Sequence, residues 1–167
     1  MEIKISTKWL NHKFPCSVEY IMNTCKGRCC EGSGGKIMVS LLPEEEEGRV
    51  VKGGLLQPCG ITHKCPYKTK YHLCEIHRKD KLFGCVISPF TLNKSNTLII
   101  RHRYSRLKCH GQGQPAYKVF RKSLYYLFGE LQCARIIRNM NKGVKEIYVD
   151  MDEEIYNKLF YLDALKK

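Results

Sequence analysis

What the chain lacks narrows its chemistry first. It has no Gly-x-Ser-x-Gly, no glycine loop ending in Gly-Lys-Ser/Thr, no His-Glu-x-x-His and no dinucleotide fingerprint. Hydrolase, nucleotide-cradling, zinc-protease and Rossmann chemistry are thereby left without a starting motif. The glycines between Gly32 and Lys36 do not have the spacing of a phosphate cradle. No run approaches the ~20 apolar residues that span a bilayer, so no membrane association is expected. Met1 to Lys8 lack the apolar run of a secretory signal, and a reducing, cytoplasmic location is expected from that. Internal repeats are absent. Glu44 to Glu47, behind Pro43, read as a solvated helix start with carboxylates near the positive dipole end, not as a catalytic set.

Acid is missing over a long interval. From Lys81 to Gly129 there is no Asp or Glu, while nine Lys and Arg residues fall in the same stretch, in a chain of formal net charge +13. Such a segment attracts phosphate backbones, and Arg101, Arg103, Arg106, Arg121 and Lys122 are the candidate contacts, with Tyr104, Tyr117, Tyr125 and Tyr126 available to stack on bases. The competing reading is that the cations offset anionic thiolates or solvate an ordinary surface. An acidic protein partner fits the same charge.

Cysteine is what the chain has in abundance, ten in 167 residues. Cys25-Lys26-Gly27-Arg28-Cys29-Cys30 packs three thiols beside a glycine and two cations, an arrangement that no hydrophobic core requires. Thiolates are the soft ligands of zinc and iron–sulfur clusters, and Lys26 and Arg28 are expected to favour the deprotonated form. In extended backbone Cys29 and Cys30 point to opposite sides. Both reach one centre only if the glycine-rich segment bends sharply; otherwise they serve two neighbouring centres. In a reducing compartment thiols that recur in clusters are ligands more often than disulfides.

Cys16 lies close enough to fold back onto the same site. Cys59, Cys65, Cys74 and Cys85 follow, with His63, His72 and His77 among them, and Cys109-His110-Gly111-Gln112-Gly113 forms a second thiol-and-glycine loop. The spacing is not that of a zinc finger or ribbon. Each histidine beside a cysteine is a weaker ligand candidate than the thiols. Cys133 falls inside a helical apolar pattern and reads as a core thiol. Cys30 as a catalytic nucleophile is the rival chemistry, set against the number of its companions.

The fold expected is α+β: a small irregular metal-centred domain with short strands, glycine-rich loops and C-terminal helices. Ile3 and Ile5 mark an opening strand, Lys36 to Leu42 and Asn96 to Tyr104 two more, and the apolar positions from Ala116 a helix with a break at Gly129. Glu146 to Met151 reads as a strand and Asp152 onward as a helix with the stripe Ile155, Leu159 and Leu162. The division expected is residues 1–140 as a cysteine-cluster domain and 141–167 as a strand-helix appendage packed on it.

With Cys25-Lys-Gly-Arg-Cys29-Cys30 followed in order by Cys65-Pro, Cys74-Glu-Ile-His77, Gly84-Cys85-Val-Ile-Ser-Pro89-Phe90 and Cys109-x-Gly-x-Gly, the chain resembles the YkgJ-type cysteine-cluster proteins. These are described as zinc- or iron-chelating, and a related domain occurs in flagellin lysine methylases. The likeness runs from about Cys16 to Gly129. It departs at Leu82-Phe83, where the family often has Arg-Pro, and Cys59 has no clear counterpart. The resemblance implies a metal or iron–sulfur centre on Cys25, Cys29, Cys30, Cys65, Cys74 and Cys85, with Cys109 and Cys16 as further ligands. Such a thiol count exceeds one tetrahedral zinc, so two zinc ions or a [4Fe–4S] cluster with extra ligands both fit. Two function classes follow: a binding or cluster-carrying module with a basic surface, or a metal-dependent redox or macromolecule-modifying enzyme.

Overall fold

The computed structural model describes residues 1–30, 39–58, 64–105, 107 and 109–165. Cys59, His63, Arg106 and the Gly32 to Lys36 segment therefore lie outside the described residues. The chain is an α+β protein whose residues fall into two compact units, each drawn from two segments. Residues 1–15 and 86–160 form the first, and residues 16–85 and 161–167 the second. The strands are β1 (Glu2–Ser6), β2 (Lys13–Phe14), β3 (Val51–Lys52), β4 (Leu55–Leu56), β5 (Phe90–Leu92), β6 (Thr97–Ile100), β7 (Gln114–Pro115) and β8 (Glu146–Asp150).

The first unit is built on a four-stranded sheet of order β5-β6-β1-β8. β1 runs parallel to β6, with Ile5 opposite Leu98, and antiparallel to β8, with Ile3 opposite Val149 and Ile5 opposite Ile147. Alternation decides the register. Ile3, Ile5, Leu98, Ile100, Ile147 and Val149 all turn to the buried side, and a slip of one residue would expose every one of them. The helix Arg121–Asn141 packs against β8 through a face that buries Leu124, Leu127, Cys133, Ile136 and Met140. Gly129, at φ 72 and ψ 173, kinks that helix where the apolar pattern predicted a break. The expected strand from Asn96 to Tyr104 is shorter. It stops at Ile100: Arg101 N–H still pairs in register with Pro89 O, but Pro89 has no N–H to continue the ladder, and Arg101 O accepts from Tyr104 N–H as His102–Ser105 coil into a helical turn.

Among its described residues the second unit has little regular structure. Leu41 N–H bonds to Gly54 O and Leu56 N–H to Val39 O, so residues 39–41 run beside the β3–β4 hairpin through the bridge Ser40 to Leu55; the first part of the strand expected over Lys36 to Leu42, residues 36–38, lies outside the described residues. Val39, Leu41, Leu56 and Leu82 make its apolar core. Val51, Tyr67 and Ile76 pack against that cluster, Leu42 and Phe83 are buried in the same unit, and polar ties add to them. Glu45 is one: its carboxylate accepts from Leu42 N–H at 2.9 Å and from Phe83 N–H at 2.6 Å. The glutamate run thus contributes a staple between two segments, beyond the one-turn 3-10 helix Pro43–Glu45 that it opens. The closing helix Glu153–Ala164 buries Leu159 and Leu162, and in its last turns Leu162 and Leu165 lie against Gly84 and Gly54.

Candidate functional site

Local backbone explains how the first cysteine group is gathered. Ser17 caps a helical turn by accepting from Tyr20 N–H at 3.1 Å, and the chain continues as the wider π-helical turn Ile21–Cys25. Lys26 (φ 54) and Gly27 (φ 61) are then both left-handed, which ends the helix and reverses the chain into the 3-10 turn Arg28–Cys30, closed by Cys30 N–H to Gly27 O at 3.0 Å. The sharp bend that the adjacent cysteines demand therefore falls at Lys26-Gly27, before the pair. The thiols of Cys29 and Cys30 are hydrogen-bonded to each other.

Gly27 also joins this group to the next. A Cβ on Gly27 would stand 2.8 Å from His72 O, and Lys68 Nζ donates to Gly27 O at 3.5 Å. Residues 65–75 fold back on themselves: Lys68 bridges to Cys74, Glu75 N–H bonds to Tyr67 O, and Thr69 Oγ1 accepts from the N–H groups of Tyr71 and Leu73. Cys65 and Cys74 are thereby brought to the two sides of one turn. Cys85, in the short helix Phe83–Val86, packs with Cys65 against the Leu41 and Leu82 core.

Electrostatics tie the three segments together. The Cys29 thiol is held well above its usual range, first by the hydrogen bond with Cys30, then by burial of the sulfur, then by the charges of Cys30, Cys16 and Cys25. Burial pushes Cys85 up to about 12, with Cys30, Cys65 and Cys74 adding to the rise and Lys81 opposing it. Cys74 is raised as well, by burial first; Cys30 and Glu75 add to this, while Ile76 N–H and Lys81 pull the other way. Cys16, Cys25, Cys29, Cys30, Cys65, Cys74 and Cys85 thus form one connected neighbourhood within the second unit. The expected depression by Lys26 and Arg28 is not what governs these thiols. Cys29, directly after Arg28 in sequence, moves upward because its nearest influences are other thiols, and the cation that does act on Cys74 and Cys85 is Lys81.

Other candidates sit elsewhere. Cys109 folds with the first unit, in the turn whose Gly111 N–H bonds to Lys13 O. Its neighbour His110 stands 2.9 Å from His12, Nε2 to Nδ1, between the rings of Phe14 and His12. His12 drew no attention in the sequence because nothing adjacent marks it; the pairing of β2 with β7 brings it to His110. His77 Nδ1 contacts Lys81 Nζ at 3.2 Å. Cys133 is buried in the long helix, as its apolar setting indicated.

Of the basic candidates, Arg101 reaches Ser88 Oγ, and Arg103 lies over the Tyr104 ring at 4.8 Å while donating to its hydroxyl. Arg121 and Lys122 are exposed at the start of the long helix, and Tyr125 and Tyr126, one turn on, are 52% and 44% exposed.

Among the described residues no group of three or more His, Cys, Asp or Glu is arranged so that it could already hold a metal ion. By donor chemistry the seven thiols suit zinc or an iron–sulfur centre; by geometry they are neighbours that have not converged. Among the same residues no helix is long and apolar enough to cross a membrane. No family model, curated protein or solved structure matches the chain.

Proposed function

We propose that the chain is a cysteine-cluster protein that holds metal on thiolates, a binding or cluster-carrying module with a basic surface. The observation that carries this reading is the neighbourhood of seven thiols drawn from three segments of one small unit. Crowded thiols resist ionisation because each thiolate repels the next. A cation at their centre inverts that balance, takes the thiolates as ligands, and adds its binding free energy to folding. Cys16, Cys25, Cys29, Cys30, Cys65, Cys74 and Cys85 would hold it. A bound ion would cross-link three segments that otherwise meet around the apolar cluster of Val39, Leu41, Leu56 and Leu82. The ordered motifs by which the chain resembles YkgJ-type proteins agree with the same reading, and a reducing compartment such as the cytoplasm would keep such thiols available.

The exposed set Arg121, Lys122, Tyr125 and Tyr126 supports the basic surface as a contact for single-stranded nucleic acid, cations to phosphate and rings to bases. Elemental analysis of protein prepared without oxygen tests the metal reading. Stoichiometric zinc or iron is the expected result, and neither metal above background ends it.

A further inference from the structure

We infer that the outer edge of β8 is a docking site for an extended, basic peptide segment of a partner protein, which joins the sheet of the first unit as an added antiparallel strand with a Lys or Arg opposite Asp150. The inference goes beyond the metal reading and does not depend on it.

β8 closes one side of the sheet, and its ladder to β1 fixes which of its backbone groups are engaged. Met1 and Met151 exchange bonds, Met1 N to Met151 O at 2.9 Å and Met151 N–H to Met1 O at 2.8 Å, and Thr7 N–H bonds to Lys145 O at 3.0 Å. In an antiparallel pair, residues that bond to the neighbour alternate with residues whose backbone groups face away. With Ile3 opposite Val149 and Ile5 opposite Ile147, the residues Lys145, Ile147, Val149 and Met151 bond to β1, and Glu146, Tyr148 and Asp150 turn both N–H and C=O outward. Among the described residues no strand or loop takes those outward groups. The three side chains are exposed, Tyr148 at 47%. A strand laid along this edge finds a donor and an acceptor at every second residue.

Charge says what that strand carries. Asp150 stands directly opposite Glu2 on β1, a like-charge pair that works against the sheet. Lys4 is engaged with Glu146 at 2.6 Å, and among the described residues neither Glu2 nor Asp150 has an ion-pair partner. Glu153 is exposed just past the strand. These acids gather without cations in a chain of 29 Lys and Arg against 16 Asp and Glu. An edge built only to repel pairing favours Lys. This one presents carboxylates on either side of an exposed tyrosine, which suits cross-strand pairs with a cation and a β-branched residue. A second copy of this chain paired about Tyr148 would set Glu146 against Asp150, so a basic strand fits the edge better.

The test titrates the full chain, labelled with 15N, with the capped peptide Thr-Arg-Thr-Val-Thr-Thr and with its counterpart carrying Glu for Arg, and reads amide hydrogen exchange by NMR. In the free chain the amides of Glu146, Tyr148 and Asp150 should exchange fast while those of Ile147 and Val149 are slow. The Arg peptide should slow the three fast amides, and the Glu peptide should not. Asp150→Lys should weaken the Arg peptide about fivefold and turn the preference to the Glu peptide. Tyr148→Pro removes an outward N–H, leaves the ladder to β1 bonded, and should lose the peptide. No binding at millimolar peptide, equal binding of both peptides, or binding that leaves the three amides fast overturns the inference. Slow exchange at those amides in the free chain also overturns it; if the slowing grows with protein concentration, the edge belongs to a second copy. Should Tyr148→Pro fail to fold, the charge reversal at Asp150, an exposed side chain without a partner, still decides. None of these outcomes touches the metal reading.

Discussion

Gly27 lies so close to the His72 carbonyl that a methyl group in place of its hydrogen would sit 2.8 Å from that oxygen, at a φ of +61 that disfavours any side chain. Gly27→Ala meets both penalties. Strain of this kind is worth ~1–3 kcal/mol, and the displaced loop carries Cys29 and Cys30 away from Cys65 and Cys74. Gly48→Ala is the matched control: its φ is +71 but nothing lies within 4 Å. Urea unfolding should show the Gly27 variant less stable than the Gly48 variant, with a larger loss of bound metal.

Metal-free protein should weaken in alkali. The raised thiols of Cys29, Cys74 and Cys85 keep their protons in the folded state at pH values where the unfolded chain has released them. The folded state then binds more protons, so stability falls as pH rises from the unfolded thiol value of ~8.5 towards the folded Cys85 value of about 12. Melting curves of chelated protein should drop across that window, and Cys85→Ala should flatten the drop. Metal-loaded protein should lack it, because its thiols are already ionised.

Acid acts on the first unit. Burial, then His110, then Lys8, lowers the proton affinity of His12, so the unfolded chain takes up a proton that the folded His12 resists. Stability present above the unfolded value of ~6.5 is lost as pH falls below it. His12→Phe should reduce the acid slope of the melting temperature, and an unchanged slope would show that the pair is not its source.

Glu45 should matter more than its neighbours in the run. Glu45→Ala removes the acceptor of two backbone N–H groups, Leu42 and Phe83. A loss of about 2 kcal/mol is expected for hydrogen bonds to a charged group at this partly buried site. Glu44→Ala and Glu47→Ala should stay within ~0.5 kcal/mol of the parent, as read by urea denaturation.

Binding of single-stranded oligonucleotide should weaken with salt by close to one log–log unit per phosphate contact. Arg121→Ala with Lys122→Ala should reduce that slope, whereas Tyr125→Ala should reduce affinity at constant slope. Binding that is absent or indifferent to salt removes this surface from the function.

Much of the first unit was legible in sequence because its signals are local and periodic. Ile3 and Ile5 alternate, Leu124 and Leu127 repeat at helical spacing, and Gly129 interrupts them; each is decided by its own neighbours in the chain. Asn96 to Tyr104 misled for the same reason: its alternation continues past Ile100, but the partner strand begins at Phe90, behind a proline with no N–H, and His102–Ser105 coil into a helical turn.

By itself the sequence determined that this is an α+β chain with a dense supply of thiols and a long interval free of acid. Composition and short-range pattern are enough for that. Tertiary structure decided which thiols fold together: it drew Cys16 to Cys30 and Cys65 to Cys85 into one unit and left Cys109 with the other. It also chose the supports, Gly27 under His72, Lys68 on Gly27 and Glu45 between Leu42 and Phe83. Apart from Glu45 to Leu42, these are contacts between residues about forty positions apart, and no local periodicity encodes them. The charge around each sulfur depends on those contacts, which is why Lys26 and Arg28, adjacent in sequence, yield to the surrounding thiols and to Lys81.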